Sequence, residues 1–246
     1  MKYLWKGRTS TMENISDPAR VLRDIRGRID RAARAAGRSG DEVALMAVTK
    51  TVPAERVNQF IDSGISLIGE NRVQEFLDKY DSYHKEGLKI AFIGHLQRNK
   101  VKYIADKVDR IESVDSLALA EEISRRCAAI GRRMDILLEV NIGGEASKSG
   151  FAKGELEGVL PQIAALPGVR ITGLMAIPPA AEGDGAAPYF REMEKLFIDI
   201  KHERLDNVFM ETLSLGMSGD FETAVSCGST QVRLGSILFG ERQSQI

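Results

Sequence analysis

One lysine closes an apolar run in the stretch EVALMAVTKTVPAERV, where Lys50 follows Ala44 to Thr49. An amine at the end of a buried strand has two readings. It snorkels into water on its aliphatic stem, or it is partly desolvated, has a lowered pKa and attacks a carbonyl to form a Schiff base. Side chains alternate along a strand, so Lys50 shares a face with Val48, Met46 and Ala44, while Thr49 shares the other with Ala47 and Leu45. Small Ala44 suits a crowded barrel interior. If that face points inward, Lys50 projects into the barrel mouth. The stretch alone leaves both readings open.

Two later segments carry groups suited to an anion. LSLGMSGDFETA supplies Ser214, Gly216, Ser218 and Gly219 just ahead of a helix, and VRLGSILFG supplies Arg233, Gly235 and Ser236. Free N–H groups and the dipole at a helix start favour a phosphate. Ordinary capping by Ser218 or Asp220, with glycines serving the turn, explains either segment taken alone. Further polar groups close other apolar runs: Glu70 and Asn71 in IGENRVQEF, His95 and Gln97 in IGHLQRNK, Asn141 and Lys148 in VNIGGEASKSGF, and Met175 in GLMAIPP. His95 reads equally as a packing or helix-entry residue, and Lys148 as a solvated loop lysine.

The elements that must position these groups alternate in kind. Eight apolar runs read as strands: ALMAVT, SLIG, IAFIG, RIES, DILLEVN, VRITGLMAI, VFMETLSL and VRLGSILFG. Amphipathic helices read between them in PAERVNQFIDSG, SLALAEEISRRCAAIG, GELEGVLPQIAALPG (with a kink or restart at Pro161), APYFREMEKLFIDIKHERL and DFETAVSCGST. A further helix precedes them, with Asp17-Pro18 as cap and first turn and Val21, Ile25, Ile29 and Ala33 at helical spacing. Continuously apolar strands alternating with helices imply a parallel sheet covered by helices. Eight units favour an α/β fold closed into a single (β/α)8 TIM barrel with an extra N-terminal helix. The open doubly wound sheet is the rival, weakened because no GxGxxG follows the first strand. In a barrel, the site forms at the C-terminal strand ends, and the loops after strands seven and eight often hold a phosphate. Taken together at those two positions, the two anion-compatible segments favour the functional reading.

The 246 residues fit one barrel of ~250 residues. A net charge of −1 provides no bulk attraction to nucleic acid or a membrane surface. No apolar run reaches ~18 residues. The opening MKYLWKGRTSTM lacks the apolar core of a secretory signal. Residues 1–13 read as a disordered or variable extension, with Met12 as an alternative start, and residues 14–246 as the barrel. Cys127 and Cys227 are far apart and form no CxxC, which suggests a reducing, cytoplasmic setting. The three histidines are scattered, so no metal site is expected.

The segments AVTKTVPAERV, IGENRVQEF, FIGHLQRNKVK, VNIGGEASKSGF, GLMAIPP and LSLGMSGDFETAVSCGSTQVRLGSILFGER run in order from Lys50 to Arg242. As a set they resemble the pyridoxal phosphate homeostasis protein family. The resemblance implies a barrel similar to that of alanine racemase, with pyridoxal 5′-phosphate on Lys50 as an internal aldimine. It implies Ser214 and the Gly235–Ser236 turn at the phosphate, Arg233 near the pyridine ring, and Asn71 beside the aldimine. Ser236 stands where relatives often carry threonine and keeps the hydroxyl. An arginine at the pyridine nitrogen stays cationic, which leaves that nitrogen unprotonated and the ring a weaker electron sink.

The implied function is a pyridoxal-phosphate-binding protein of intracellular cofactor homeostasis, without turnover, with apo-enzymes of the cofactor as candidate partners. The alternative is a pyridoxal-phosphate-dependent amino-acid racemase. That reaction needs an acid/base on each face of its intermediate. None of Tyr3, Tyr80, Tyr83, Tyr103 and Tyr189 ends a strand, and no length remains for a second, β-rich domain. A monomer is expected. A third reading is a phosphate-binding barrel enzyme without this cofactor.

Overall fold

The structure, a computed structural model, describes residues 17–145, 148–179 and 183–240. The expected extension over residues 1–13 lies outside these. The first helix, α1 (Pro18–Ala35), is capped by the Asp17 carboxylate, which accepts from the Ala19 amide at 3.0 Å. It buries Leu22, Ile25, Ile29 and Ala33, so Leu22 takes the place expected for half-buried Val21. Burying one such leucine or isoleucine contributes roughly 1.5–3 kcal/mol.

Eight parallel strands then close into a barrel in chain order. They are β1 (Ala44–Val48), β2 (Leu67–Glu70), β3 (Lys89–Phe92), β4 (Arg110–Val114), β5 (Met134–Glu139), β6 (Val169–Met175), β7 (Val208–Ser214) and β8 (Gln231–Leu234). Closure is made by β8 against β1, with Met46 opposite Arg233. The crossovers carry α2 (Ala54–Asp62), α3 (Val73–Tyr80), α4 (Leu117–Ala129), α5 (Leu156–Ala164), α6 (Ala187–Glu203) and α7 (Phe221–Ser226), and α8 (Ser236–Phe239) follows β8. The third crossover differs, with only a 3-10 turn over Arg98–Tyr103. α1 packs on α7, where Arg28 pairs with Glu222 at 2.6 Å and lies over the Phe221 ring.

Strand alternation sorts side chains into two layers. Leu45, Ala47, Ile68, Ile90, Phe92, Ile111, Ile136, Leu138, Val232 and Leu234 pack outward in the layer shared with the helices. Met46, Val48, Ala91 and Ile93 fill the barrel interior, with Leu67 against them. The interior is tight at Gly69, where a β-carbon would lie 2.5 Å from Met46 Sδ. Ala44, expected inside, is exposed at the start of β1, because the interior side chains begin one pleat later at Met46. Pro161 lies inside α5 without dividing it. The run VRLGSILFG divides after Leu234 into β8 and α8. Among the described residues, no helix is long and apolar enough to cross a membrane, and no group of three His, Cys, Asp or Glu residues could hold a metal ion.

Candidate functional site

The lower barrel interior is polar, and its centre is Glu112. The side chain is fully buried. Its carboxylate accepts from Arg110 Nε and Nη2 at 3.0 and 2.6 Å, from Gln231 Nε2 at 2.9 Å to each oxygen, and from Ser214 Oγ at 2.8 Å. Arg110 also reaches Thr212 Oγ1 at 3.0 Å. A buried charge is tolerated only with this degree of pairing.

Arg233 stands above that network on the inward face of β8, between outward-facing Val232 and Leu234. It donates from Nη1 to the Ser214 carbonyl at 2.6 Å and to Ser214 Oγ at 2.8 Å, and from Nη2 to the Ala176 carbonyl at 3.0 Å. Burial pulls its pKa down from the ordinary guanidinium value, and Glu112, Glu139 and Asp220 oppose that pull. The result is a cation fixed in place at the base of the mouth. Ser214 holds it there. Its hydroxyl donates to Glu112 and accepts from Arg233 and Gln231. The Ser214 hydroxyl, for which the resemblance implied a phosphate contact, is thus engaged beneath Arg233.

The hydroxyl at the anion-compatible turn is Ser218 instead. Its Oγ accepts from the Gly235 amide at 3.3 Å and the Ile237 amide at 3.4 Å, both long contacts. The turn is shaped by Gly216 (φ +88°), where a β-carbon would meet Ala224 and Phe221, and by Asp220, which accepts from the Met217 amide at 2.6 Å. Among the described residues, the amides of Ser218, Gly219 and Ser236 have no protein hydrogen-bond partner. Gly235 is buried and Ser236 is exposed at the edge of this cradle. The sequence reading singled out both turns; only the geometry shows that they meet through Ser218.

Lys50 lies two residues beyond inward-facing Val48 and is half-buried. The turn around it is held firmly. Thr51, a β-branched residue, has φ +62°, a conformation costing roughly 1–3 kcal/mol. Its amide donates to Glu75, and its hydroxyl donates to the Lys50 carbonyl at 2.6 Å. Lys79 Nζ donates to the Thr49 carbonyl at 3.0 Å. Backbone strain beside Lys50 is thus stabilised from α3, a helix absent from the sequence reading.

Asn71 follows β2 and is half-buried. Its Oδ1 is buried with no hydrogen-bond partner. The next loop presses on it: a β-carbon on Gly94 would lie 2.0 Å from the Asn71 carbonyl oxygen. Glu70 turns the other way. It is fully buried outside the barrel, where Oε1 accepts from Thr49 Oγ1 at 2.7 Å and from Tyr83 Oη and pairs with Lys79 at 3.1 Å. Tyr83 therefore belongs to the wall rather than the mouth, and burial and the Glu70 charge raise its pKa strongly.

The remaining strand ends form one side of the mouth. His95 is exposed, with Nδ1 3.4 Å from Asp115 Oδ2. Asn141 Nδ2 donates to the carbonyls of Glu145 and Lys148 at 2.8 and 3.2 Å, tying that loop together. Lys148 pairs with Glu145 at 3.1 Å and donates to the Pro178 carbonyl at 3.3 Å, so it is engaged rather than simply solvated. Met175 is buried at the end of β6, and Gln97 is exposed. A cleft of about 560 Å³ opens among His95, Gln97, Asp115, Lys148 and Gly150.

Glu139 is the residue that sequence reading missed. It ends β5 on the face opposite outward-packed Ile136 and Leu138. In a closed barrel of eight strands, β5 lies across from β1, so Glu139 faces the Lys50 side of the mouth. Burial raises its pKa to about 7, reinforced by Asp115 and opposed by Arg233 and His95. Its place at a strand end was the available signal, but the run DILLEVN reads as continuing to Asn141.

A family described as alanine racemase, N-terminal domain, matches residues 22–243. The chain is 43% identical over 217 residues to a pyridoxal phosphate homeostasis protein of Aquifex aeolicus, covering 88% of this chain and 94% of that one. It is 39% identical over 232 residues to the protein of the same description from Escherichia coli K12, covering 93% and 98%. Among solved structures, PipY of Synechococcus elongatus with PLP bound superposes with a TM-score of 0.78 at 30% identity, covering 91% of this chain and all of the other.

Proposed function

The chain belongs to the pyridoxal phosphate homeostasis protein family, and on that premise we propose that it binds pyridoxal 5′-phosphate in the barrel mouth, holds it as a Schiff base on Lys50 and serves intracellular homeostasis of the cofactor without catalytic turnover. The observation that carries this reading is the placing of Lys50, just beyond β1, beside a strand β8 that carries a pinned cation and leads into an anion cradle shared with the turn after β7. Met46 and Arg233 are register partners there. The bound cofactor would supply an aldehyde that condenses with an amine and a ring that withdraws electrons.

The residues present fit that group. The unpartnered amides around Ser218, Gly219 and Ser236, with Gly235 allowing close approach, suit a phosphate. Arg233 has only donors and is fixed by two carbonyls, so it would leave the pyridine nitrogen unprotonated. The orphaned Asn71 Oδ1 offers an acceptor beside Lys50. Ser214 acts by holding Arg233.

The absence of turnover is also our proposal. A fixed cation at the ring weakens the electron sink that carbanion chemistry needs. None of the tyrosines among the described residues is at a strand end of the mouth. Binding is tested by the visible absorption band of the loaded protein, which should disappear in Lys50→Ala. Turnover is tested by solvent deuterium entry at Cα of a panel of amino acids. Exchange that is abolished by Lys50→Ala would establish the racemase reading instead.

A further inference from the structure

We infer that Glu139 is the proton acceptor for a primary amine that displaces Lys50 from the cofactor, so that the mouth is built for handing the cofactor over as well as holding it. The inference rests on the function proposed above. Three observations carry it.

The first is placement. β5 lies across the closed barrel from β1, and Glu139 ends β5 on the inward face. An amine that replaces Lys50 must reach the same carbon from a direction Lys50 does not occupy. The second is access. The cleft lined by His95, Asp115 and Gly150 adjoins this strand end: a β-carbon on Gly150 would lie 3.0 Å from the Glu139 carbonyl oxygen, and the Phe151 amide donates to that oxygen at 2.8 Å. The third is availability. Asp115 is paired with His95 and Glu112 is saturated by donors, whereas among the described residues the Glu139 carboxyl has no hydrogen-bond or ion-pair partner. The charged groups facing it are Asp115 beyond β4, His95 beyond β3 and Arg233 on β8. Burial, with Asp115 adding to it and Arg233 and His95 opposing it, raises its titration to about 7, where a carboxylate is basic enough to take a proton and acidic enough to return it.

The exchange balances without a redox partner. One C–N bond forms to the arriving amine, and the C–N bond to Lys50 Nζ breaks. The proton shed by the arriving ammonium rests on Glu139 and leaves on the released Lys50 amine.

The test uses the full chain loaded with pyridoxal phosphate, with glycine and glycinamide as displacing amines, followed by stopped-flow absorbance from pH 5.5 to 8.5. Wild type is expected to show a rate limb that rises through about pH 7. Glu139→Gln should load normally, lose that limb and be slowed about 100-fold at high pH, while Glu139→Asp keeps the limb. In cofactor-free protein, a carbon-13 carboxyl signal titrating near pH 7 should be missing from Glu139→Gln. A Glu139→Gln profile that superimposes on wild type overturns the inference, as does a response to glycine but not glycinamide, which would make a carboxylate the recognised group. If Glu139→Gln loads poorly, the Glu139→Asp profile and the carboxyl titration decide: loss of the limb in Glu139→Asp or absence of the titration overturns it. A wild type that takes up no cofactor overturns the underlying functional reading, and this inference with it.

Discussion

Replacing Glu112 with glutamine should be among the most damaging single changes to this fold, although it alters one atom. Glu112 is fully buried, and each hydrogen-bonding group directed at it is a donor: two from Arg110, one from Gln231 shared by both oxygens, and one from Ser214. A glutamine amide must point its NH2 at one set of these donors. The change also removes the negative charge from Arg110, which is 19% exposed, and from fully buried Arg233. Breaking a buried pair by removing one partner costs about 3–5 kcal/mol. In a chain of this length each kcal/mol lowers Tm by about 2–4 °C, giving a drop of roughly 6–20 °C. The assay is thermal unfolding by circular dichroism at neutral pH. A double-mutant cycle with Arg233→Met should fall short of additivity by about 0.5–3 kcal/mol, because both changes act on one network. A Tm within about 2 °C of wild type for Glu112→Gln would refute the reasoning, since it would mean that the carboxylate charge does not hold the barrel interior together.

Other consequences follow from particular contacts. Gly94→Ala places a β-carbon 2.0 Å from the Asn71 carbonyl, so the loop after β2 must move; we expect reduced cofactor loading by absorbance and a stability loss of about 1–3 kcal/mol in urea titration. Tyr83→Phe removes a buried hydrogen bond to Glu70, whose Oε2 already has no partner, and should cost about 1–3 kcal/mol by the same measurement. The Glu139 pKa is raised in the fold, to about 7, so its contribution to stability is full below about pH 4.5 and is lost as pH rises through about 7. Urea midpoints should therefore decline from pH 5 to pH 8 more in wild type than in Glu139→Gln, and equal declines would contradict the assignment.

Much of the architecture was legible because buried parallel strands read as apolar runs. All eight runs correspond to strands, and the helix capped by Asp17 forms as its spacing implies. What escaped was set by tertiary contacts. α3 begins at Val73, two residues after Asn71, and its short apolar pattern is hidden behind the polar residues that close β2. Ser214 and Ser218 are both serines near the end of β7, and only the inward face shared with Glu112 assigns the first to the interior. Glu139 was read as mid-strand because the apolar run carries on to Val140, although β5 ends at Glu139. Residue type and position alone leave Lys50 open between its two readings, and the Thr51 turn beside it, with its Glu75 and Lys79 contacts, is set by tertiary contacts that periodicity cannot carry.

The central claim is that Lys50 is the covalent anchor. Borohydride reduction of the loaded protein, followed by proteolysis and mass mapping, tests it most directly. The account predicts one pyridoxyl adduct, on the peptide containing Lys50, and none in Lys50→Ala. An adduct mapped to a different lysine, or no adduct on protein that carries the cofactor, would contradict it.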